Sequence, residues 1–148
     1  MSTPPTEVFR RYLSAMVLNS LTTAEAAGLN ATDYYALNLL DLAGPLTSGE
    51  LAARTGLTTG ATTRLIDRLE KGGHVRRVPD PADRRKVIVE ATGQPESLDK
   101  VLTGTRRRIG ELLGSYSEEE LATLFDYFGR AATAYREATD ELARARQG

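Results

Sequence analysis

The stretch that decides the fold is residues 47–92, TSGELAARTGLTTGATTRLIDRLEKGGHVRRVPDPADRRKVIVEAT. It begins with a short helical pattern that Gly56 interrupts, and glycine tolerates the unusual backbone of a tight turn. Thr58 then is a suitable N-cap for a second helix that extends to about Lys71. Two helices joined by so tight a turn are typical of a helix-turn-helix unit.

The hydrophobic pattern after Gly73 changes from helical to strand-like. Runs of β-branched residues occupy 75–78 and 86–90. The segment between them, 79–85, is rich in turn-forming residues. We therefore predict a β-hairpin with a polar, basic tip, in which pairing thins out at Pro79 because proline has no N–H to donate. A hairpin directly after a helix-turn-helix unit is the arrangement of a winged helix.

Outside this unit, apolar residues recur at helical spacing on both sides. The predicted helices, given as approximate ranges, are 6–27, 30–43, 96–113 and 118–142. Capping boxes mark two helix starts, one at 47–50 within the unit and one at 117–120 outside it, and Asn30 is a suitable N-cap for a third, with Asp33 in its first turn. The predicted fold class is mainly α with a small β-hairpin wing, an α+β arrangement built around a winged helix-turn-helix.

The charge of the chain is unevenly distributed. Between Arg54 and Lys86 there are nine Lys or Arg and four Asp or Glu residues, so this segment carries a formal charge of +5. The whole chain carries −1, and the remaining residues therefore carry −6. A basic block in an otherwise acidic protein is typical of a nucleic-acid partner, but many such blocks are solvated faces. Charge alone leaves both interpretations open.

The composition excludes several classes of chemistry. The chain has no cysteine, which excludes disulfides, thiolate metal sites and thiol catalysis. His74 is the single histidine, so a multi-histidine metal site within one chain is excluded, and we expect His74 to be structural. We predict no metal, no cofactor and no enzyme activity, because no glycine-rich nucleotide loop or metal-spaced cluster is present. The triad Glu118–Glu120 is interpreted as complementing the helix dipole.

The expected location is the cytoplasm. No apolar run approaches the ~20 residues of a membrane span. The first five residues have neither the basic nor the apolar region of a signal peptide.

One face of the predicted second helix is suited to a DNA groove. Its N-terminal half is small and hydroxyl-bearing, so its backbone can approach the major groove closely. Arg64 has the reach for a guanine edge or a phosphate, and the spacing does not choose between them. Thr62 and Thr63 are candidates for either partner. The opposite, apolar face consists of Ala61, Leu65, Ile66 and Leu69. The alternative is a helical hairpin in an unrelated α-domain.

The hairpin tip favours DNA over that alternative. Arg84 and Arg85 lie at the end of the turn, where side chains project, and arginine on a narrow tip suits the narrow, negative minor groove. Asp83 is an unusual residue beside DNA. Its expected role is to hold Arg85 in one rotamer through a charge-assisted hydrogen bond.

Taken together, these motifs resemble the MarR family of bacterial transcriptional regulators. The similarity is strongest over residues 29–92. The recognition unit of the family is similar to LA at 51–52, GLT at 56–58 and TRLIDRLEKG at 63–72, and its wing signature is similar to DP at 80–81 with DRR at 83–85.

The resemblance implies a set of DNA contacts. On the recognition helix these are Thr58, Thr59, Gly60, Thr62, Thr63, Arg64 and Arg68. On the wing they are Arg77, Asp83, Arg84, Arg85 and Lys86. The resemblance places residues 59–64 in the major groove and Arg85 in the minor groove, with Asp83 orienting it. It places Arg77 and Lys86 near phosphates.

The resemblance also implies partners and a domain organisation. Double-stranded DNA carrying a pseudo-palindromic operator is the expected partner of a homodimer, and the expected function is repression that a small aromatic or phenolic ligand relieves. A single domain over 1–148 would contain helical dimerisation segments at 6–28 and 96–146 and a winged helix-turn-helix region at 30–92.

Two questions stay open at this point. The alternative function is a winged-helix protein that acts through protein partners without specific DNA binding, and the intact basic tip disfavours it. The residues of an effector pocket are also open, because aromatic and Met residues at helical spacing are more often plain core. The candidates are Tyr12, Met16, Tyr34 and Tyr35, with Arg10 or Arg11 for an acidic group.

Overall fold

The computed structural model describes residues 3–93 and 96–148 and confirms the predicted mainly helical fold class with a small sheet. The elements are, in order, α1 (Pro5–Ala26), α2 (Ala31–Ala43), β1 (Leu46–Thr47), α3 (Ser48–Thr55), α4 (Thr59–Lys71), β2 (Val75–Pro79), β3 (Val87–Ala91), α5 (Glu96–Leu113) and α6 (Glu118–Ala145). The chain divides into two compact units, one extending to Leu102 and one spanning Thr103–Gly148.

The sheet of the first unit has one more strand than the predicted hairpin. Its order is β1-β3-β2 and all pairs are antiparallel. In the hairpin, Val75 is opposite Ala91 and Pro79 is opposite Val87, and β2 ends at the proline. The added strand β1 places Leu46 opposite Val89. It was not predicted because two residues are too few to show an alternating pattern.

A single apolar cluster holds the first unit together. Its buried members are Ala36, Leu37, Leu40, Leu46, Leu51, Leu65, Ile66, Leu69, Val75, Val89 and Leu98. Full burial of one such large side chain contributes about 1.5–3 kcal/mol. Leu65 and Leu69 are fully buried and fix the inner face of α4. Leu57, in the turn before α4, packs against the cluster from the edge.

The starts of the helices are set by local side chains. The predicted N-caps Asn30, Thr58 and Ser117 each accept a hydrogen bond from the backbone N–H three residues later. Ser117 forms the complete predicted capping box. At the other predicted box, the Thr47 hydroxyl accepts from the Glu50 N–H at 3.1 Å, but the Glu50 carboxylate accepts from that hydroxyl instead of from the Thr47 backbone. The helix start is confirmed and the box is incomplete.

Two glycines follow α4, and each is suited to its place for a different physical reason. Gly73 has a φ of 77°, the left-handed conformation that glycine tolerates best. Gly72 has an ordinary φ of −77°, but a Cβ atom there would lie 2.9 Å from Cδ2 of His74. His74 is only 6% exposed at the start of β2. Its burial agrees with the expected structural role.

In the second unit, α6 has no buried residue. Its exposed large apolar side chains are Phe125, Tyr127, Phe128, Tyr135 and Leu142. The Phe128 ring packs edge-on against Phe125 and Tyr127, with ring centroids 6.1 and 6.0 Å away. Among the described residues, no helix is both long and apolar enough to cross a membrane.

Candidate nucleic-acid interface

The N-terminal half of α4 presents a small, polar, exposed surface. Thr58, Thr59, Gly60, Thr63 and Arg64 are all exposed. The Thr63 hydroxyl donates to the Thr59 carbonyl at 3.0 Å, so its oxygen can still accept a hydrogen bond from outside. No acidic residue lies in the first turn of α4, and the positive end of the helix dipole is therefore available to an anion.

Thr62 does not belong to this surface, and its prediction as a DNA contact was wrong. The side chain is fully buried, and its hydroxyl donates to the Thr58 carbonyl at 2.9 Å. The cause is helical spacing, because position 62 lies three and four residues before Leu65 and Ile66 and shares their face. Ala61, which was predicted to occupy the apolar face, is only partly buried.

The Arg68 side chain is hydrogen-bonded to helix α2. Its Nε and Nη2 donate to the two carboxylate oxygens of Asp33 on α2, at 2.9 and 2.8 Å. The Asp33 side chain is 4% exposed, whereas that of Arg68 is 51% exposed. The hydrogen bonds to Asp33 raise the pKa of Arg68 above its ordinary value. The geometry is bidentate and fixes α4 against α2, so the predicted DNA contact of Arg68 would have to use the exposed part of a guanidinium that is already held.

Arg77 is bonded to α4. Its Nη1 donates to Glu70 at 2.8 Å and its Nη2 to Asp67 at 2.6 Å. These hydrogen bonds, that to Asp67 first, raise the pKa of Arg77 above its ordinary value. The guanidinium expected near a phosphate therefore faces two carboxylates of its own chain.

The wing tip has the arrangement that the sequence predicted for Asp83 and Arg85. The Asp83 carboxylate accepts from the Arg85 backbone N–H and from its Nε, both at 3.1 Å. The Arg85 side chain is 91% exposed. The side-chain hydrogen bond with Arg85, followed by the backbone one, lowers the pKa of Asp83. The turn is closed by two backbone bonds, from Asp80 N–H to the Lys86 carbonyl and from Lys86 N–H to the Asp83 carbonyl.

Some basic side chains between Arg54 and Lys86 are paired with carboxylates of the same chain, and others are unpaired. Arg68, Arg76, Arg77 and Arg85 form ion pairs with carboxylates. In the part of the chain that the structure describes, the other five basic side chains make neither a hydrogen bond nor an ion pair, and these are Arg54, Arg64, Lys71, Arg84 and Lys86. Of these, Arg64 lies on the exposed face of α4, and Arg84 and Lys86 lie at the wing tip.

The carboxylates that pair with Arg68 and Arg77 were not recognised in the sequence as their partners. Asp33 is 35 residues from Arg68, a separation that no local pattern predicts. Asp67 and Glu70 are ten and seven residues from Arg77. Their positions on α4 were visible, but the direction in which β2 returns along the helix was not.

None of the candidate effector residues is fully buried. Arg10 and Arg11 line a shallow depression near the start of α1, together with Pro4, Thr6, Glu7 and Ser14. Tyr12, Met16 and Tyr35 are exposed, and Tyr34 packs partly against the core. Within residues 3–93 and 96–148, no group of three or more His, Cys, Asp or Glu side chains is arranged to hold a metal ion.

Comparison with known sequences identifies relatives over most of the chain. A model of the MarR family matches residues 27–86. The HTH-type transcriptional regulator YcgE of Bacillus subtilis (strain 168) is 40% identical over 137 residues, which cover 92% of this chain and 89% of YcgE. The HTH-type transcriptional repressor YetL of the same strain is 34% identical over 76 residues, covering 51% of this chain and 46% of YetL. Other relatives are named as a repressor and as a transcriptional activatory protein.

Solved structures share the fold. A mutant of MepR from S. aureus, bound to an oligodeoxyribonucleotide, aligns with 90% of this chain and 99% of its own, with a TM-score of 0.61. The sequence identity in this alignment is 18%, so the likeness is one of architecture.

Proposed function

The chain belongs to the MarR family and is a DNA-binding transcriptional regulator, and we propose that it is a homodimeric repressor of a pseudo-palindromic operator, released by a small aromatic or phenolic ligand. Residues 30–92 form the winged helix-turn-helix region in this proposal, and residues 6–28 and 96–146 form the dimer. The protein would act in the cytoplasm, where its operator lies.

One observation carries the DNA-binding part of the proposal. Arg64 has no partner among the described residues and stands on the exposed half of α4, while Arg85 projects from the wing with Asp83 holding its guanidinium. Such a helix suits a major groove, and such a tip suits the adjacent minor groove. We propose that the major groove is contacted by Thr58, Thr59, Gly60, Thr63 and Arg64. The minor groove and its phosphates would be contacted by Arg84, Arg85 and Lys86.

A fluorescence-anisotropy titration tests this function. The labelled duplex is DNA from upstream of the protein's own gene, unrelated DNA is the competitor, and salt is fixed at ~150 mM because affinity depends steeply on it. We expect binding at least ~1,000-fold tighter than to the competitor. If both duplexes bind weakly and equally, the titration is repeated with fragments selected from the whole genome. Weak, equal binding there as well would favour the alternative that the protein acts through protein partners.

The effect of Arg64→Ala on sequence preference distinguishes a base contact from a phosphate contact. If Arg64 reads a base, Arg64→Ala weakens binding by about 1–3 kcal/mol on the operator and reduces discrimination at one base pair. If it contacts a phosphate, all duplexes weaken equally. The measurement is a set of titrations against operators with single base-pair changes. Lys71→Ala removes an equal charge from the last turn of the same helix and is the matched control.

Dimerisation is supported by the exposed apolar surface of the terminal helices. α1 leaves Val8, Phe9, Tyr12, Met16, Val17, Leu18 and Leu21 exposed, and the aromatic residues of α6 are exposed as well. Such surface on two helices is more than a monomer ordinarily leaves in water. A two-fold protein also matches a two-fold operator.

Phe128→Glu tests the dimer. We expect this variant to sediment as a monomer at concentrations where the wild type is a dimer, because a carboxylate would be buried in an apolar interface. Its operator affinity should fall at least tenfold, since the two half-sites then bind independently. Thr133→Glu adds the same charge to an exposed polar position of α6 and should remain dimeric. A dimeric Phe128→Glu variant would exclude this face of α6 from the interface.

Repression and ligand release are tested with a reporter gene behind the bound operator. Repression predicts that deleting the regulator raises expression, whereas activation predicts that it lowers expression. A panel of aromatic and phenolic acids is then added to the anisotropy assay. A compound that releases the operator without lowering the thermal stability of the protein supports the ligand-response part of the proposal.

A further inference from the structure

The outer face of α4 carries two carboxylates beside the residues proposed to meet DNA. Asp67 lies three and four residues after Arg64 and Thr63, so it is their neighbour on the helix surface. The Asp67 and Glu70 side chains are 60% and 43% exposed. Exposed carboxylates so close to a phosphate backbone would repel it. DNA binding through this face therefore needs a group that neutralises them.

Arg77 on the wing strand β2 is that group. Its Nη2 donates to Asp67 at 2.6 Å and its Nη1 to Glu70 at 2.8 Å. The Arg77 backbone N–H also donates to Glu70, at 3.2 Å. Among the described strands β2 is at the edge of the sheet, and the Arg77 N–H has its acceptor on α4 and not on a further strand. Side chain and backbone of one residue thus join the strand to the helix.

The strand geometry directs Arg77 toward α4 and away from the free surface. Its neighbour Arg76 pairs with Glu90 on β3, and successive side chains of a strand point to opposite faces. The Arg77 side chain is 31% exposed, whereas that of Arg85 at the tip is 91% exposed. Arg77 is the less accessible of the two to a phosphate.

We propose that Arg77 is a positioning residue that neutralises Asp67 and Glu70 and holds the wing against α4. The inference rests on the proposed function, because its consequence is read in DNA binding. With this clamp, defined as Arg77, Asp67 and Glu70, the recognition helix and the wing reach DNA in one fixed arrangement. Several charge-assisted bonds on one guanidinium fix geometry better than a single exposed pair.

A double-mutant cycle on operator affinity tests the clamp. Arg77→Ala is measured in the wild-type background and in the Asp67→Asn/Glu70→Gln background, where the carboxylates are already neutral. We expect Arg77→Ala to lower affinity by about tenfold or more in the first background and by less than about threefold in the second, because the coupling lies in the charges. Equal losses in both backgrounds would identify Arg77 as a direct phosphate contact and overturn the inference.

Hydrogen exchange in the free protein is a second arm that needs no operator. We expect Arg77→Ala to speed amide exchange in β2 and β3 by about tenfold relative to amides of α2, because the clamp no longer holds the hairpin. Arg84→Ala removes an unpaired arginine from the tip and is the matched control. Hairpin exchange that is no faster in Arg77→Ala than in Arg84→Ala would overturn the clamp. If the wild type has no specific operator, the proposed function fails and this arm alone decides the inference.

Discussion

Replacing Arg85 with alanine lowers operator affinity by about ten- to a hundredfold at fixed salt, the ~1–3 kcal/mol expected for an arginine in direct contact with DNA. The fold should be unaffected. The Arg85 side chain is 91% exposed. Among the described residues, Asp83 is the one hydrogen-bond partner of this side chain. The free energy of unfolding should therefore stay within about 0.5 kcal/mol of wild type. Anisotropy and chemical denaturation measure the two quantities.

The matched control for this variant is Arg146→Ala, which removes the same charge at the end of α6. It corrects for the general loss of attraction between a less basic protein and DNA. Wild-type affinity in Arg85→Ala at equal salt would contradict the assignment of the wing to the minor groove. A loss equal to that of Arg146→Ala would reduce Arg85 to a contributor of long-range charge.

The pH dependence of the wing follows from Asp83. Because Arg85 lowers the pKa of Asp83, the carboxylate is ionised at neutral pH and the pair is fully formed there. A lowered pKa means that the pair is lost only as the pH falls through that lowered value. We therefore expect the affinity contributed by Arg85, measured as the difference between wild type and Arg85→Ala, to be constant between about pH 6 and 8.

Arg68→Ala is expected to cause the largest loss of stability, about 2–3 kcal/mol. Removing one partner of an ion pair leaves the other without its counter-charge, and here the remaining Asp33 side chain is 4% exposed. The position of Asp33 in the first turn of α2 offsets part of the cost through the helix dipole. Urea denaturation followed by circular dichroism measures the change.

Two further variants show whether the uncompensated charge is the cause. Asp33→Asn in the Arg68→Ala background should recover about half of the lost stability or more, because the buried carboxylate is then neutral. Arg68→Lys keeps the charge but not the two-pronged geometry, so it should remain less stable than wild type. No recovery in the double variant would show that the packing of the Arg68 side chain, not its charge, holds α4.

The sequence was sufficient for features that depend on neighbouring residues. Asp83 and Arg85 are two positions apart, and their hydrogen bond was predictable from the turn. The helix start at Thr58 followed from its own cap. These contacts need no knowledge of the rest of the fold because both partners belong to one local segment.

Contacts between residues that are distant in sequence were not predictable in this way. The bond from Arg68 to Asp33 spans 35 residues, so only the packing of α4 on α2 brings the two together. The pairing of β1 with β3 likewise brings Leu46 opposite Val89. Thr62 is different, because its helical spacing from Leu65 and Ile66 was visible in the sequence. The polar character of threonine led to its assignment to the DNA-facing side of α4 instead of the buried side.

The close approach of Gly72 to His74 has a consequence for how this protein can evolve. Because a Cβ atom at position 72 would meet the buried imidazole at 2.9 Å, alanine there forces the imidazole to shift, and a smaller side chain at position 74 removes that requirement. The two positions are therefore expected to be epistatic, with position 74 changing more easily before position 72 than after it. A lineage that keeps this histidine is therefore expected to favour glycine at 72 even though the backbone at that point suits any residue.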